Sequence, residues 1–293
     1  MASTRQIKGR IRSVKSNKQI TKAMEMVASS KLRHAQESAL KSKQYSHAAL
    51  EILNSLANLT DIKSHDLFKT RKIRSRTLVV ITSDRGLAGA YNANALKILT
   101  KEITDDKAND VKTSVIAIGK KGAQLVTRLK DVEVLGVYNA GDKASQNDIR
   151  SVTATLIDKF KATETDKVDI IATEFVNSIT QTPKQLTLLP VGHNILRTHH
   201  LTQTEKQITE AKFEPSMPIV LEYVVERLIE ATLYQAMLDS VASEHAMRRV
   251  AMKNASDNAS DIIDDLTLEM NKVRQAGITQ ELSEISAGVE AMK

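Results

Sequence analysis

The sequence contains no cysteine and no tryptophan, and only four prolines, ten glycines and 3% aromatic residues in 293 positions. Without cysteine there are no disulfides, thiolate metal ligands or thiol nucleophiles, and the chain suits a reducing compartment. Scarce aromatics leave few anchors for base stacking or for aromatic-rich cores. No apolar run approaches the ~20 residues that span a bilayer. Acidic charge is missing from the start: Arg5, Lys8, Arg10, Arg12, Lys15, Lys18 and Lys22 all precede Glu25. The apolar pattern of this basic start runs without a break into the helix that follows, so it reads as mature structure rather than a targeting segment.

What is present is a globular composition, 41% hydrophobic and 26% charged, with a formal net charge of +7. The charge is uneven. The start and the run from Lys69 through Arg71, Lys72, Arg74 and Arg76 are basic, whereas Asp261, Asp264, Asp265, Glu269, Glu281, Glu284 and Glu290 make the last stretch acidic. The basic parts call for acidic partners: nucleic acid, a lipid surface or protein carboxylates.

Glycine and proline also organise the chain by their placement. None lies between Gly9 and Gly86 or between Pro218 and Gly277, and Pro183, Pro190, Pro215 and Pro218 all fall between those stretches. Both ends are therefore free to be continuous helices. Apolar residues at Ile7, Ile11, Val14, then Ile20, Met24, Val27, then Ala28, Leu32, Ala35, Ala39, and Ala49, Leu53, Leu56 follow alternating steps of three and four. So do Leu228, Ala231, Gln235, Leu238, Ala242, and later Ile278, Leu282, Ile285, Val289, Met292. This is a coiled-coil seam, and its change of phase between blocks predicts an irregular supercoil. At about 1.5 Å per residue the helices would reach roughly 80 Å and 110 Å, too long for a compact domain, so an antiparallel pair must project, with the C-terminal tip extending beyond the N-terminus.

The middle reads differently. Leu78–Ile81, Val115–Ile118 and Ile170–Ala172 are short apolar runs of the kind that form buried parallel strands. Helical stretches at Asn92–Ile103, Lys120–Leu129 and Asp148–Lys161 alternate with them, and strands near Val132–Val137 and Gln185–Val191 complete a small sheet. The fold class expected is α/β: a long antiparallel two-helix coiled coil from the N- and C-terminal segments plus a central Rossmann-like α/β domain. The divisions are 1–60, 75–195 and 208–293, with 1–60 and 208–293 paired as one rod.

Candidate chemistry is thin. The loop Ser83-Asp84-Arg85-Gly86-Leu87-Ala88-Gly89 follows a strand and precedes a helix, where backbone N–H groups can face phosphate. It lacks both the Lys-Ser/Thr of a P-loop and a G-x-G-x-x-G, so it reads as a tight turn. His193, His199 and His200 match no ligand spacing, and Asp261, Asp264 and Asp265 read as a solvated or partner-facing stripe, so no metal site is expected. Asn254-Ala255-Ser256 and Asn258-Ala259-Ser260 match the glycosylation pattern inside a helix and carry no weight. No catalytic residues and no cofactor are assigned.

Three segments then carry a resemblance. They are Ile7-Lys8-Gly9-Arg10-Ile11-Arg12-Ser13-Val14 continuing through Ile20-Thr21-Lys22-Ala23-Met24-Glu25-Met26-Val27-Ala28, the Ser83-to-Gly89 loop with Ala90-Tyr91-Asn92, and Asn271-Lys272-Val273-Arg274-Gln275-Ala276-Gly277-Ile278-Thr279-Gln280-Glu281-Leu282. In this order they resemble the gamma subunits of rotary F-type ATP synthases, in their bacterial form, over essentially the whole chain. The resemblance implies a non-catalytic central-stalk shaft that couples ion-driven rotation of a c-ring to conformational cycling of the catalytic beta subunits. Implied partners are three alpha and three beta subunits, an epsilon subunit and the c-ring, at the cytoplasmic face of the bacterial cell membrane, with membrane association only through the complex and no nucleic acid.

The resemblance also implies roles for residues. Met24, Arg274, Gln275, Thr279 and Glu281 would contact beta subunits. Phe213, Glu214 and Pro215 would form the foot on the c-ring, and Ile278, Leu282, Ile285 and Val289 an apolar bearing tip. Two positions depart from the family's pattern: Met247-Arg248-Arg249 adds a charge beside the shaft, and Gly277 costs a helix about 1 kcal/mol relative to alanine. The competing reading from the residues alone is a basic coiled-coil protein that binds nucleic acid with steep salt dependence. A third, a phosphate-binding α/β enzyme, requires the isolated chain to bind or hydrolyse nucleotide.

Overall fold

A computed structural model describes residues 4–59, 65–129, 132–141, 146–192, 216–290 and 292. In order these form α1 (Thr4–Leu59), a 3-10 turn (Asp66–Phe68), β1 (Ser75–Ile81), α2 (Tyr91–Ala108), β2 (Lys112–Ile118), α3 (Lys120–Val126), β3 (Glu133–Tyr138), α4 (Gln146–Lys161), β4 (Lys167–Phe175), β5 (Gln181–Leu189) and α5 (Met217–Glu290). The chain divides into two compact units. One joins residues up to Ala28 with those from Arg248 onward, and the other runs from Ser29 to Met247.

In the larger unit the five strands lie in the order β3-β2-β1-β4-β5. β1, β2 and β4 are buried along nearly their whole length, which is why their sequences are continuous apolar runs rather than alternating ones. Successive residues serve opposite faces. Leu78, Val80, Val115, Ala117 and Ile171 meet Ala95 and Leu99 of α2 and Val126 of α3 on one side. Val79, Ile81, Ile116, Ile118 and Ile170 meet Ile149, Leu156 and Phe160 of α4 on the other, together with Leu221, Val225, Leu228, Ile229, Leu233 and Met237 of α5. The beginning of the long C-terminal helix is thus part of the α/β core.

β1 pairs in parallel with β2 and β4, and β2 with β3, but β5 runs antiparallel to β4. The five residues 176–180 are too few for a crossover, so the chain can only turn back. Asn177 closes that turn, its Oδ1 accepting from the N–H groups of Ile179 and Thr180 at 2.8 Å each. Pro183, which has no N–H to give a ladder, is tolerated because β5 is an edge strand.

Part of the basic run before β1 is used within the fold, through Arg71 and Arg76, whereas Lys69, Lys72 and Arg74 stay exposed. Lys69 pairs with Asp66 at 2.7 Å, and Arg71 lies over the Phe160 ring at 4.9 Å while donating to the Phe160 carbonyl. Arg76 is buried. Its guanidinium donates to Asp169 at 2.7 Å, Asp106 at 2.9 Å and Glu102 at 2.8 Å, tying β1 to β4 and α2. Burial alone would pull this group down, but Asp169 first, and the hydrogen bonds with Asp106 and Glu102, hold it well above the usual arginine range.

The paired terminal helices form an antiparallel coiled coil. In the smaller unit Ile7, Ile11 and Val14 pack with Ile263, Leu266, Met270 and Val273; in the larger one Leu32 and Ala35 pack with Val241, Ala242 and Ala246. The expected phase shift in α1 is not found. An unbroken four-three alternation of buried or half-buried positions runs through 7, 11, 14, 18, 21, 25, 28, 32, 35 and 39, with Met24, Lys31 and Gln36 half-buried at its flanks. It passes through Lys18, Thr21 and Glu25, and leaves Ile20 and Val27 exposed instead of in the seam. These polar residues are stabilised locally: Thr21 Oγ1 donates to the Lys18 carbonyl at 3.0 Å, and Glu25 pairs with Lys22 at 2.9 Å. The side chains of Ala49, Leu53 and Leu56 lie outside the described residues.

Candidate functional site

The strand-end loop after β1 is the place where an open α/β sheet ordinarily receives an anionic ligand. Here its own carboxylate takes that role. Asp84 accepts from the backbone N–H groups of Lys120 at 3.0 Å, Gly141 at 3.1 Å and Ala140 at 3.4 Å, so the loops after β1, β2 and β3 are pinned to one side chain. Ser83 is equally committed. Its N–H donates to Asn92 Oδ1 at 2.9 Å and its hydroxyl to the Arg85 carbonyl at 2.6 Å, while Asn92 Nδ2 donates back to Ser83 Oγ at 2.7 Å. Leu87 and Gly89 both adopt positive φ to close the turn.

Glycine is required just beside this loop. Gly119 has φ +101, and a Cβ there would lie 2.1 Å from the Thr82 carbonyl oxygen. Thr82 Oγ1 accepts from the Gly122 N–H at 2.8 Å, so β1 and the start of α3 are bonded directly. Replacing Asp84 with alanine leaves three N–H donors to find water, and should cost about 1–2 kcal/mol. Urea unfolding followed by tyrosine emission measures it, and an unchanged midpoint would refute the pinning role.

The other candidate surface is helical and lies within the smaller unit. Every α5 residue from Arg274 through Val289 is exposed. Arg274, Gln275, Thr279 and Glu281 therefore carry unburied polar groups, with Thr279 Oγ1 bonding the Gln275 carbonyl at 3.0 Å. Ile278, Leu282, Ile285 and Val289 form an exposed apolar stripe, Leu282 at 60% and Ile285 at 64%. The stripe is not a leftover of the α1 seam. Continuing the seam from Ile263, Leu266, Met270 and Val273 by steps of four and three leads to Gly277 and Gln280, one residue out of phase with Ile278. Against the continued seam at 277, 280, 284 and 287 the stripe at 278, 282, 285 and 289 runs one or two residues ahead, which turns it by roughly 150° on the helix. Arg274 and Glu281 are four residues before and three after Ile278, so the charged groups border the apolar line.

Met24 is half-buried, whereas Met26 is exposed and Ala28 buried. Arg249 faces solvent, Arg248 is buried, and a Cβ at Gly277 would meet nothing within 4 Å. Asp261, Asp264 and Asp265 are exposed, and no group of metal-ligating side chains occurs among the described residues. Phe213, Glu214 and Pro215, with His193, His199 and His200, lie outside the described residues. No described helix is long and apolar enough to cross a membrane. Sequence reasoning missed the Asp84 and Arg76 networks; the signal for the second was a lone aspartate between Val168 and Ile170 in an otherwise apolar strand.

Fold and surface together define a coiled-coil α/β protein whose strand-end loop is closed by its own carboxylate and whose unpaired surface lies on a helix. The chain belongs to the ATP synthase gamma-chain family, since the family model described as ATP synthase matches residues 3–292. It is 38% identical over 294 residues to the ATP synthase gamma chain of Roseiflexus castenholzii, covering 100% of this chain and 99% of that one. It is 36% identical over 294 residues to the gamma chain of Staphylococcus saprophyticus, covering all of both. Among solved structures it is similar to a chain of the central stalk and c-ring of the Tetrahymena thermophila mitochondrial ATP synthase, with TM-score 0.59, 25% identity, 81% of this chain and 99% of that chain covered. A chain of the Euglena gracilis mitochondrial enzyme shares the fold at TM-score 0.66 and 18% identity, covering 99% and 94%.

Proposed function

We propose that this chain is the rotor shaft of an ATP synthase, carrying torque between a c-ring and the catalytic beta subunits. It is a non-catalytic subunit: nucleotide chemistry belongs to the beta subunits, and the α/β unit's own strand-end loop is occupied by Asp84. Its partners are three alpha and three beta subunits, an epsilon subunit and the c-ring, and it belongs to a membrane-associated complex that it joins through those partners. The observation carrying this reading is the full-length kinship with gamma chains, joined to an apolar stripe on α5 that α1 does not cover.

A rotating shaft acts only through the difference in its interaction energy with the alternative conformations of each beta subunit. In this reading Met24, Arg274, Gln275, Thr279 and Glu281 make those angle-dependent contacts. The stripe of Ile278, Leu282, Ile285 and Val289 turns in an apolar sleeve, where the absence of directional bonds lets the tip slip. Phe213-Glu214-Pro215 supplies the foot on the c-ring, segments 1–60 and 208–293 act as one rod, and 75–195 is its mount. The complex would stand at the cytoplasmic face of a bacterial membrane. Co-purification tests this: alpha and beta subunits should be recovered with the chain, and their ATPase activity should depend on it. Equal activity from complexes lacking the chain would overturn the reading.

A further inference from the structure

We propose that the cavity between α1, α4 and α5 in the larger unit binds a small phosphomonoester carrying a short apolar body. The inference stands on this cavity alone and is independent of the shaft reading. The space is about 500 Å³, well within the size range of sites for small ligands. Three cations on three different helices line it: Lys41 on α1, Arg150 on α4 and Arg227 on α5. Among the described lining residues one carboxylate, Glu230, answers them, so positive charge is in excess there.

The arginines are held ready. Glu230 accepts from Arg150 Nε at 3.0 Å and from Arg227 Nη1 at 2.5 Å, so a single carboxylate fixes both guanidinium groups. Arg227 is further seated over the Tyr223 ring at 5.0 Å. The Nη groups of Arg150 make no hydrogen bond to a described residue, and neither does the Lys41 ammonium. An incoming anion therefore meets two guanidinium groups whose orientation is already set, which reduces the ordering cost of binding, and a Lys41 ammonium that can turn to it.

The rest of the lining selects the kind of anion. Ile149 and Ala231 are buried and present apolar surface beside the half-buried Tyr234, enough to cover a small ring or short chain. Ser38 and Ser42 add hydroxyls on the α1 side. A planar guanidinium, a point-charge ammonium and hydroxyls together match a phosphate, with its three acceptor oxygens and charge of about −1.5 to −2, better than one carboxylate.

Calorimetric titration of the full chain with phenyl phosphate, inorganic phosphate and phenol tests this. Phenyl phosphate should bind saturably at one site, inorganic phosphate about tenfold more weakly, and phenol not at all. Lys41→Gln and Arg150→Gln, both on exposed side chains, should each weaken phenyl phosphate by about tenfold with helical circular dichroism unchanged. No saturable binding at millimolar ligand overturns the proposal, as does binding that neither variant weakens. Equal affinity for inorganic and phenyl phosphate overturns the assigned role of Ile149, Ala231 and Tyr234.

Discussion

Arg76→Met should unfold the larger unit at much lower urea concentration, with a loss of about 3–5 kcal/mol. The size follows from what remains. Asp169 is fully buried and Asp106 nearly so, and both lose the guanidinium that neutralises them. Lys167, at 3.0 Å, remains beside Asp169, as do the Gln185 and Thr187 side chains, so the carboxylate keeps hydrogen bonds but loses its main counter-charge. Glu102 and Asp106 would repel each other on α2, loosening that helix from the sheet.

Arg76→Lys separates charge from geometry. An ammonium keeps the charge but cannot present a planar fork to three carboxylates, so its loss should be intermediate. All five tyrosines (Tyr45, Tyr91, Tyr138, Tyr223 and Tyr234) lie between Ser29 and Met247, so tyrosine emission reports this unit without interference from the other. A midpoint for Arg76→Met equal to that of the parent chain would mean the network is only decoration on a core that the apolar residues already hold.

Arg274→Ala combined with Glu281→Ala should act in the opposite way, sparing the chain and harming the complex. Both side chains are exposed, and no described residue covers them, so the isolated chain's stability should change by less than about 0.5 kcal/mol. In the assembled complex each would lose a charge-assisted contact of about 1.5–3 kcal/mol, and ATP turnover should fall about tenfold or more if those contacts form at the rate-limiting angle. Measuring turnover beside complex yield distinguishes weaker assembly from weaker transmission. Full turnover at normal yield would remove these residues from the gripping role.

The parts of this structure that were legible in sequence are those where burial dictates composition. Leu78–Ile81 and Val115–Ile118 had to be central strands because both faces of the sheet are covered. Ala28, Leu32, Ala35 and Ala39 announced the seam because each is an apolar residue that is buried. Hydrophobicity failed where the seam turns polar. Lys18, Thr21 and Glu25 occupy inward positions, and the nearby Ile20 and Val27 drew the pattern onto the wrong face. The direction of β5 was set by the short turn at 176–180, not by anything in its own residues.

Long-range polar partnerships were the least readable. Arg76 looked like one more charge in a basic run, yet Asp169, its partner, lies 93 positions away. Asp84 sat inside a motif scanned for phosphate binding, and its real partners are backbone groups that only the fold brings near. The unpaired α5 surface was visible as a stripe, but its offset from the α1 seam needed the structure.

A shaft acts mechanically, and the absence of cysteine makes its rotation directly testable. Lys97→Cys introduces one thiol at an exposed position on α2, to which a visible bead can be attached while an alpha–beta ring assembled around the chain is held to glass. On addition of ATP the bead should turn in one direction only, revolution after revolution, in three steps per revolution to match the three beta subunits. A bead that stays still while the same complexes hydrolyse ATP at full rate would contradict the account.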